Sequence, residues 1–125
     1  MADAKPMIKA AVTSLLDEVP QLTPLKLVVG VDLLGRSDLQ QFRLVMPDLE
    51  VTKDPGLDAK VRVEMRRDFF NLMVEHDAKL ADWHQALDEG RLKATGVMQY
   101  LRLIGQVVEK QEERVRLRRG KRAAG

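Results

Sequence analysis

Lys60-Val61-Arg62-Val63-Glu64-Met65-Arg66-Arg67-Asp68-Phe69-Phe70-Asn71-Leu72-Met73-Val74 decides how the rest of the chain is read. Val61, Val63 and Met65 alternate with Lys60, Arg62 and Glu64, so apolar and charged groups take opposite faces. A strand of this kind has one wet face and one buried face. After Met65 the period changes. Asp68 is placed to cap a helix containing Phe69, Phe70, Leu72, Met73 and Val74. A sheet with one buried face must be covered on that face, and the helices supply the cover.

Upstream, Leu25–Leu34 is β-rich and ends at Gly35; residues 36–41 read as a polar turn. Phe42, Leu44 and Met46 then alternate with Arg43 and Val45. Pro47-Asp48 breaks the run before Leu49 and Val51, and can divide one strand into two. Lys53-Asp54-Pro55-Gly56 is a turn by composition. Three consecutive strands with short connections predict an antiparallel meander. The N-terminal segment from Pro6 to Val19 places Ile8, Ala11, Val12, Leu15, Leu16 and Val19 on one helical arc, and Pro20 stops it.

Downstream, Leu80, Trp83 and Leu87 share a face of a short helix that Gly90 ends. Arg91–Thr95 reads as a short strand closed by Gly96. A last helix runs from about Val97 to Arg118, with Leu101, Ile104 and Val108 on its apolar arc. The order is helix, three strands, two helices, strand, helix, which is an α+β class.

The chain has 125 residues, enough for one domain, and 45% of them are hydrophobic. It has no cysteine, which excludes disulfides, thiolate metal sites and a cysteine nucleophile. No apolar run approaches a membrane span, and no hydrophobic signal core opens the chain; a cytoplasmic location is expected. Net charge is +2, with six of the 21 basic residues in 114–125, where there is no acid. The remaining 15 basic and 19 acidic residues leave a body of net −4, which argues against a nucleic-acid face. We expect residues 1–113 to form the domain. Residues 114–125 are expected to be a basic, disordered tail that can make weak contact with an anionic membrane through Arg114–Arg122.

Catalytic signals are sparse. Ser14 and Ser37 sit in no nucleophile elbow, and no phosphate-binding glycine loop is present. His76 and His84 are the only histidines and lack metal-ligand spacing, so no metal and no cofactor is expected. Asp82 and His84, two apart on a helix, do not face each other. Six methionines among many Leu and Val would suit a site accepting varied apolar ligands, although such residues also build ordinary cores.

Ala59–Met73 resembles the third strand and following helix of the sterol carrier protein type 2 family, and Gly90-Arg91-Leu92-Lys93-Ala94-Thr95-Gly96 resembles that family's glycine-flanked strand. The element order agrees over Leu25–Val108. Three features depart from the family: Gly35-Arg36-Ser37-Asp38 replaces its tight Asp-Gly hairpin, the last helix is longer and more charged, and the chain ends without a peroxisomal Ser-Lys-Leu. A bacterial stand-alone member would fit. The resemblance implies a mostly antiparallel sheet of about five strands, helices on one face and an apolar cavity between them. It implies binding of a sterol, fatty acid or fatty acyl group, carried or presented to a partner enzyme without chemistry of its own.

Carried over by position, the sheet wall of that cavity is Phe42, Leu44, Met46, Val61, Val63 and Met65. Phe69, Phe70 and Met73 come from the next helix, and Trp83 and Leu87 from the one before the glycine motif. Leu101, Ile104 and Val108 come from the closing helix. His84, Gln99 and Tyr100 are the polar candidates that would orient a ligand. Two other readings stay open: an interaction or regulatory module with a solid core, and a small accessory enzyme using the same cavity. The oligomeric state is open.

Overall fold

The first apolar arc folds as α1, Ala4–Glu18. Ala4 and Ile8 are buried in the core, and Met7, Ala11, Val12 and Leu15 pack against it. Pro20 has no N–H to extend the helical ladder, and a 3-10 turn over Pro20–Leu22 follows. The structure is a computed structural model that describes residues 4–46 and 48–124, without the side chains of 118–124.

Three strands come next: β1 (Leu27–Leu34), β2 (Leu39–Met46) and β3 (Glu50–Lys53). β1 and β2 form an antiparallel hairpin, paired from Leu27 opposite Met46 to Leu34 opposite Leu39. Its loop is only residues 35–38, closed by a 2.8 Å hydrogen bond from the Gly35 N–H to the Asp38 carbonyl. A side chain on Gly35 would overlap the Asp38 carboxylate. The polar stretch read as a turn therefore gives residues 39–41 to β2. β2 and β3 are antiparallel, with Leu44 opposite Val51. The expected break does separate two strands; Pro47 itself lies outside the described residues.

The expected meander stops there. β4 (Val61–Arg66) lies on the far side of β1 and pairs with it in parallel, Val29 opposite Val61 and Leu33 opposite Met65. The sheet order is β3-β2-β1-β4-β5, so the sheet is mixed, with one parallel pair. Residues 54–60 make the crossing. Three strand spacings are about 14 Å, and a segment of this length can span roughly 23 Å. Fixed contacts hold it: the Lys60 N–H donates to the Val28 carbonyl at 3.0 Å, and Arg43 pairs with Asp58 at 2.8 Å.

α2 (Arg67–Glu75) follows β4 without a loop. It starts one residue before Asp68, which therefore lies inside the first turn and is not the cap. Asp68 accepts from the Phe69 N–H at 2.8 Å and pairs with Arg66 at 3.3 Å. These contacts hold its carboxyl below the usual range, Arg66 contributing most. α3 (Leu80–Asp88) is capped from a distance: the Glu18 carboxylate of α1 accepts the Leu80 N–H at 2.8 Å. That satisfies one of the donors left open at a helix start. β5 (Leu92–Gly96) is antiparallel to β4, and α4 (Met98–Ala124) closes the chain.

α4 is helical to Ala124, so it takes in the segment read as a disordered tail. Between Gly105 and Gly120 the chain has no Gly or Pro, and Glu, Lys, Arg, Gln and Leu predominate, all good helix formers. The side chains of Arg118, Arg119, Lys121 and Arg122 lie outside the described residues. Among the described residues no helix is long and apolar enough to cross a membrane.

Candidate functional site

Residues paired across strands point to the same side of a sheet. The register therefore puts Leu27, Val29, Val31 and Leu33 of β1 on one face with Phe42 and Leu44 of β2 and Val61 and Met65 of β4. All eight are buried in one apolar cluster. The opposite face carries Asp32, Gln41, Arg43, Arg62, Glu64 and Lys93. The helices lie over the apolar face, and the 54–60 segment crosses the polar one.

The expected cavity residues divide by depth. Phe42, Leu44, Val61, Met65, Phe70 and Trp83 are buried in the core cluster, while Met46, Val63, Phe69, Met73, Leu101 and Ile104 pack half-buried against it. Two behave differently. Leu87 is 42% exposed, because α3 turns it away from the sheet while Trp83 and Ala86 face inward. Val108 is half-buried but is not among the residues packed on the core, because only the first turns of α4 reach the core cluster, through Tyr100, Leu101 and Ile104. The sequence reading passed over Val29, Val31 and Leu33, which form the centre of the floor. β1 reads as a nearly continuous apolar run, so its inward set carries no period of its own.

Of the polar candidates, Gln99 is exposed and Tyr100 packs against the core. His84 faces α4, where its Nδ1 sits 2.5 Å from the Glu112 carboxylate. Asp82 is occupied elsewhere, accepting the Lys79 N–H at 2.9 Å. The hydrogen bond to Glu112 raises the His84 pKa above its ordinary value, against the burial that opposes it; Glu112, Asp88 and Glu109 add further attraction. A raised folded-state pKa means the contact is complete below the ordinary histidine value. It is lost as pH rises through the raised one. Amide exchange across α3 and α4 is therefore expected to speed up toward alkaline pH beyond its intrinsic increase. Glu112→Gln should remove that excess; an excess unchanged in the variant would show that the His84–Glu112 contact is not its cause.

The Trp83 indole N–H is buried and has no partner among the described residues. An unpaired buried donor costs about 1–3 kcal/mol. Phenylalanine would fill much of the same space without that cost.

Two clefts open where α2, α3 and the β4–β5 edge meet. One, of about 470 Å³, has Leu34, Met65 and Phe69 as apolar walls and Arg66, Arg91, Lys93 and Glu64 around them. The other, of about 400 Å³, runs between α2 and α3 past Phe69, Leu72, Met73 and Ala86. Both are within the size range of small-molecule sites. Phe69 and Arg91 line both, and the Arg91 guanidinium stacks over the Phe69 ring, 5.7 Å from its centroid. Arg66, Arg91 and Lys93 were not among the sequence candidates. The signal was present in Gly90-Arg91-Leu92-Lys93, where two cations flank an inward leucine.

No protein-family model matches the chain, and no curated protein matches its sequence. Solved structures do match in fold. The second sterol carrier protein domain of Helicoverpa armigera superposes with a TM-score of 0.57 at 12% identity, covering 86% of this chain and 85% of that one. Sterol carrier protein 2-like 2 of Aedes aegypti, solved in palmitated form, gives 0.54 at 14% identity over 81% of this chain and 93% of that one. Sterol carrier protein 2 of Yarrowia lipolytica gives 0.51 at 18% identity over 78% and 92%. The sheet and its helical cover are those of the sterol carrier protein 2 fold.

Proposed function

We propose that this chain, built on the sterol carrier protein 2 fold, binds the apolar chain of a lipid between its sheet and helices. It carries that lipid, or presents it to an enzyme, without chemistry of its own. The observation that carries the reading is the pair of clefts that meet at Phe69 on the edge of the apolar layer. Support comes from the fold, since a solved structure with the same fold holds palmitate. Flexible Met65 and Met73 line the two clefts and can repack around an incoming chain. The cavity of this reading opens by parting α2 and α3 from the β4–β5 edge, and Phe42, Leu44, Val61 and Val63 are its floor.

The test is native mass spectrometry of the purified protein, followed by titration with palmitate. Trp83, the only tryptophan, reports from the inner layer. One palmitate per chain at micromolar concentration is the expected result. Phe69→Ala should weaken uptake about tenfold, from lost apolar contact. A clean apo mass with no uptake would return the layer to plain core. It would also favour an interaction role for α4, whose Leu103 and Leu117 are exposed.

A further inference from the structure

The end of α4 carries a charge separation that the apolar layer does not use. Residues 114–125 hold six cations and no acid, while residues 1–113 carry 19 acids against 15 cations. Among the described residues, Ile104 is the last of α4 packed on the core. Glu112, bonded to His84, is the last with a hydrogen bond to the body. From there the helix rises about 18 Å to Ala124. The acids of this helix stop where the cations begin: Glu112 is held by His84, and Glu109 and Glu113 precede the cationic stretch. Arg114 and Arg116 are exposed and have no hydrogen-bond or ion-pair partner among the described residues. Leu117, beside them, is 62% exposed. Helical spacing puts positions 117, 120 and 124, none of them charged, along one side of this end.

We propose that this end of α4, through Arg114, Arg116 and the cations of 118–122, docks the protein on an anionic lipid surface. Cations on a helix with an exposed leucine are complementary to such a surface, where headgroups meet the charge and the apolar side chain reaches the acyl boundary. Stacking on nucleic-acid bases would need aromatic side chains, and the sequence has none after Tyr100. The body, with its excess of acids, is repelled by the same surface, so charge also sets the orientation, with the end of α4 foremost. The site belongs to the part of α4 in which this chain departs from the sterol carrier pattern, not to the sheet and its helical cover. It goes beyond the lipid-carrying reading and does not depend on it, because docking is read from vesicles and not from palmitate uptake.

The experiment is co-sedimentation of the full chain with two kinds of vesicle. One is phosphatidylcholine alone; the other contains about one-third phosphatidylglycerol. Binding is expected to the anionic vesicles only, and should fall at least tenfold as salt rises from about 0.1 M to about 1 M. Each cation close to such a surface contributes about fivefold, so Arg114→Gln/Arg116→Gln should weaken binding tenfold or more. Both positions are exposed, and circular dichroism reports that the variant keeps its helices. The control is Lys9→Gln/Lys26→Gln, which makes the same change in net charge at two exposed lysines of the body and should bind as the wild type does. Equal binding to the two vesicles, or binding that survives the α4 substitutions, would overturn the docking site. A loss matched by the control would also overturn it, by reducing it to overall charge. So would tighter binding, per phosphate, to duplex DNA at the same salt, in favour of a nucleic-acid partner. Failure of palmitate uptake, measured separately, would remove the carrier reading and leave the docking site in place.

Discussion

Replacing Gly96 with alanine is expected to destabilise the protein by roughly 3–5 kcal/mol. Gly96 ends β5 with φ near +139°, a region that residues with a side chain rarely adopt. The added Cβ would overlap the Lys60 carbonyl oxygen and lie 2.9 Å from the Val61 Cα. Both obstacles are backbone, so no rotamer change relieves them. The Lys60 carbonyl also accepts the Val97 N–H at 2.9 Å, so a shift there breaks the link between β4 and the start of α4. Chemical denaturation of the variant measures the loss. Gly90→Ala is the comparison: its φ is also positive, but nothing lies within 4 Å of the added Cβ, so it should cost only about 1 kcal/mol. Equal losses at the two positions would refute the steric argument.

Arg62→Met is expected to cost about 2–4 kcal/mol, the second large effect. Arg62 Nη1 donates to Asp32 at 2.6 Å, and Asp32 is 7% exposed in the middle of β1. Nη2 donates to the carbonyls of Pro55 at 2.6 Å and Gly56 at 2.9 Å, tying the crossing segment to the sheet. Gly30 makes room for this, since a Cβ there would lie 2.7 Å from the Arg62 guanidinium carbon. Removing the guanidinium strands a buried carboxylate and frees the 54–60 segment. Among the described residues, only the Gln41 side chain, at 3.4 Å, still hydrogen-bonds Asp32. The double variant Asp32→Asn/Arg62→Met should recover part of the loss. If it is no more stable than Arg62→Met, the uncompensated charge is not the cause.

The inner face of β4 was legible because charges and apolar residues alternate cleanly over 60–65. The same pattern marked Phe42 and Leu44 in β2, and both are buried. β1 was legible as a strand but not as the centre of the sheet. A fully apolar run fits a buried strand of either direction, and parallel pairing to β4 leaves no local mark. Leu87 was misplaced because helical spacing from Leu80 and Trp83 fits it, yet α3 is rotated so that Ala86 takes the inward position. The cations of the larger cleft were not recognised because Arg66 and Lys93 belong to different strands. Only sheet pairing brings β4 and β5 side by side.

The sequence by itself determined the α+β class, the element order, the two-faced character of β4 and the glycines that punctuate the chain. Those features are local, set by side-chain period and by the backbone freedom of single residues. Tertiary structure alone decided that β4 lies beside β1 and not beside β3. That choice rests on contacts between distant residues: Arg62 with Asp32, Arg43 with Asp58, Lys60 with Val28. It likewise decided that Glu18 caps α3, that His84 meets Glu112, and that Arg91 stacks on Phe69 beside an apolar cleft. Each partner there is ordinary in its own segment, and the pairing exists only once the sheet has brought the segments together.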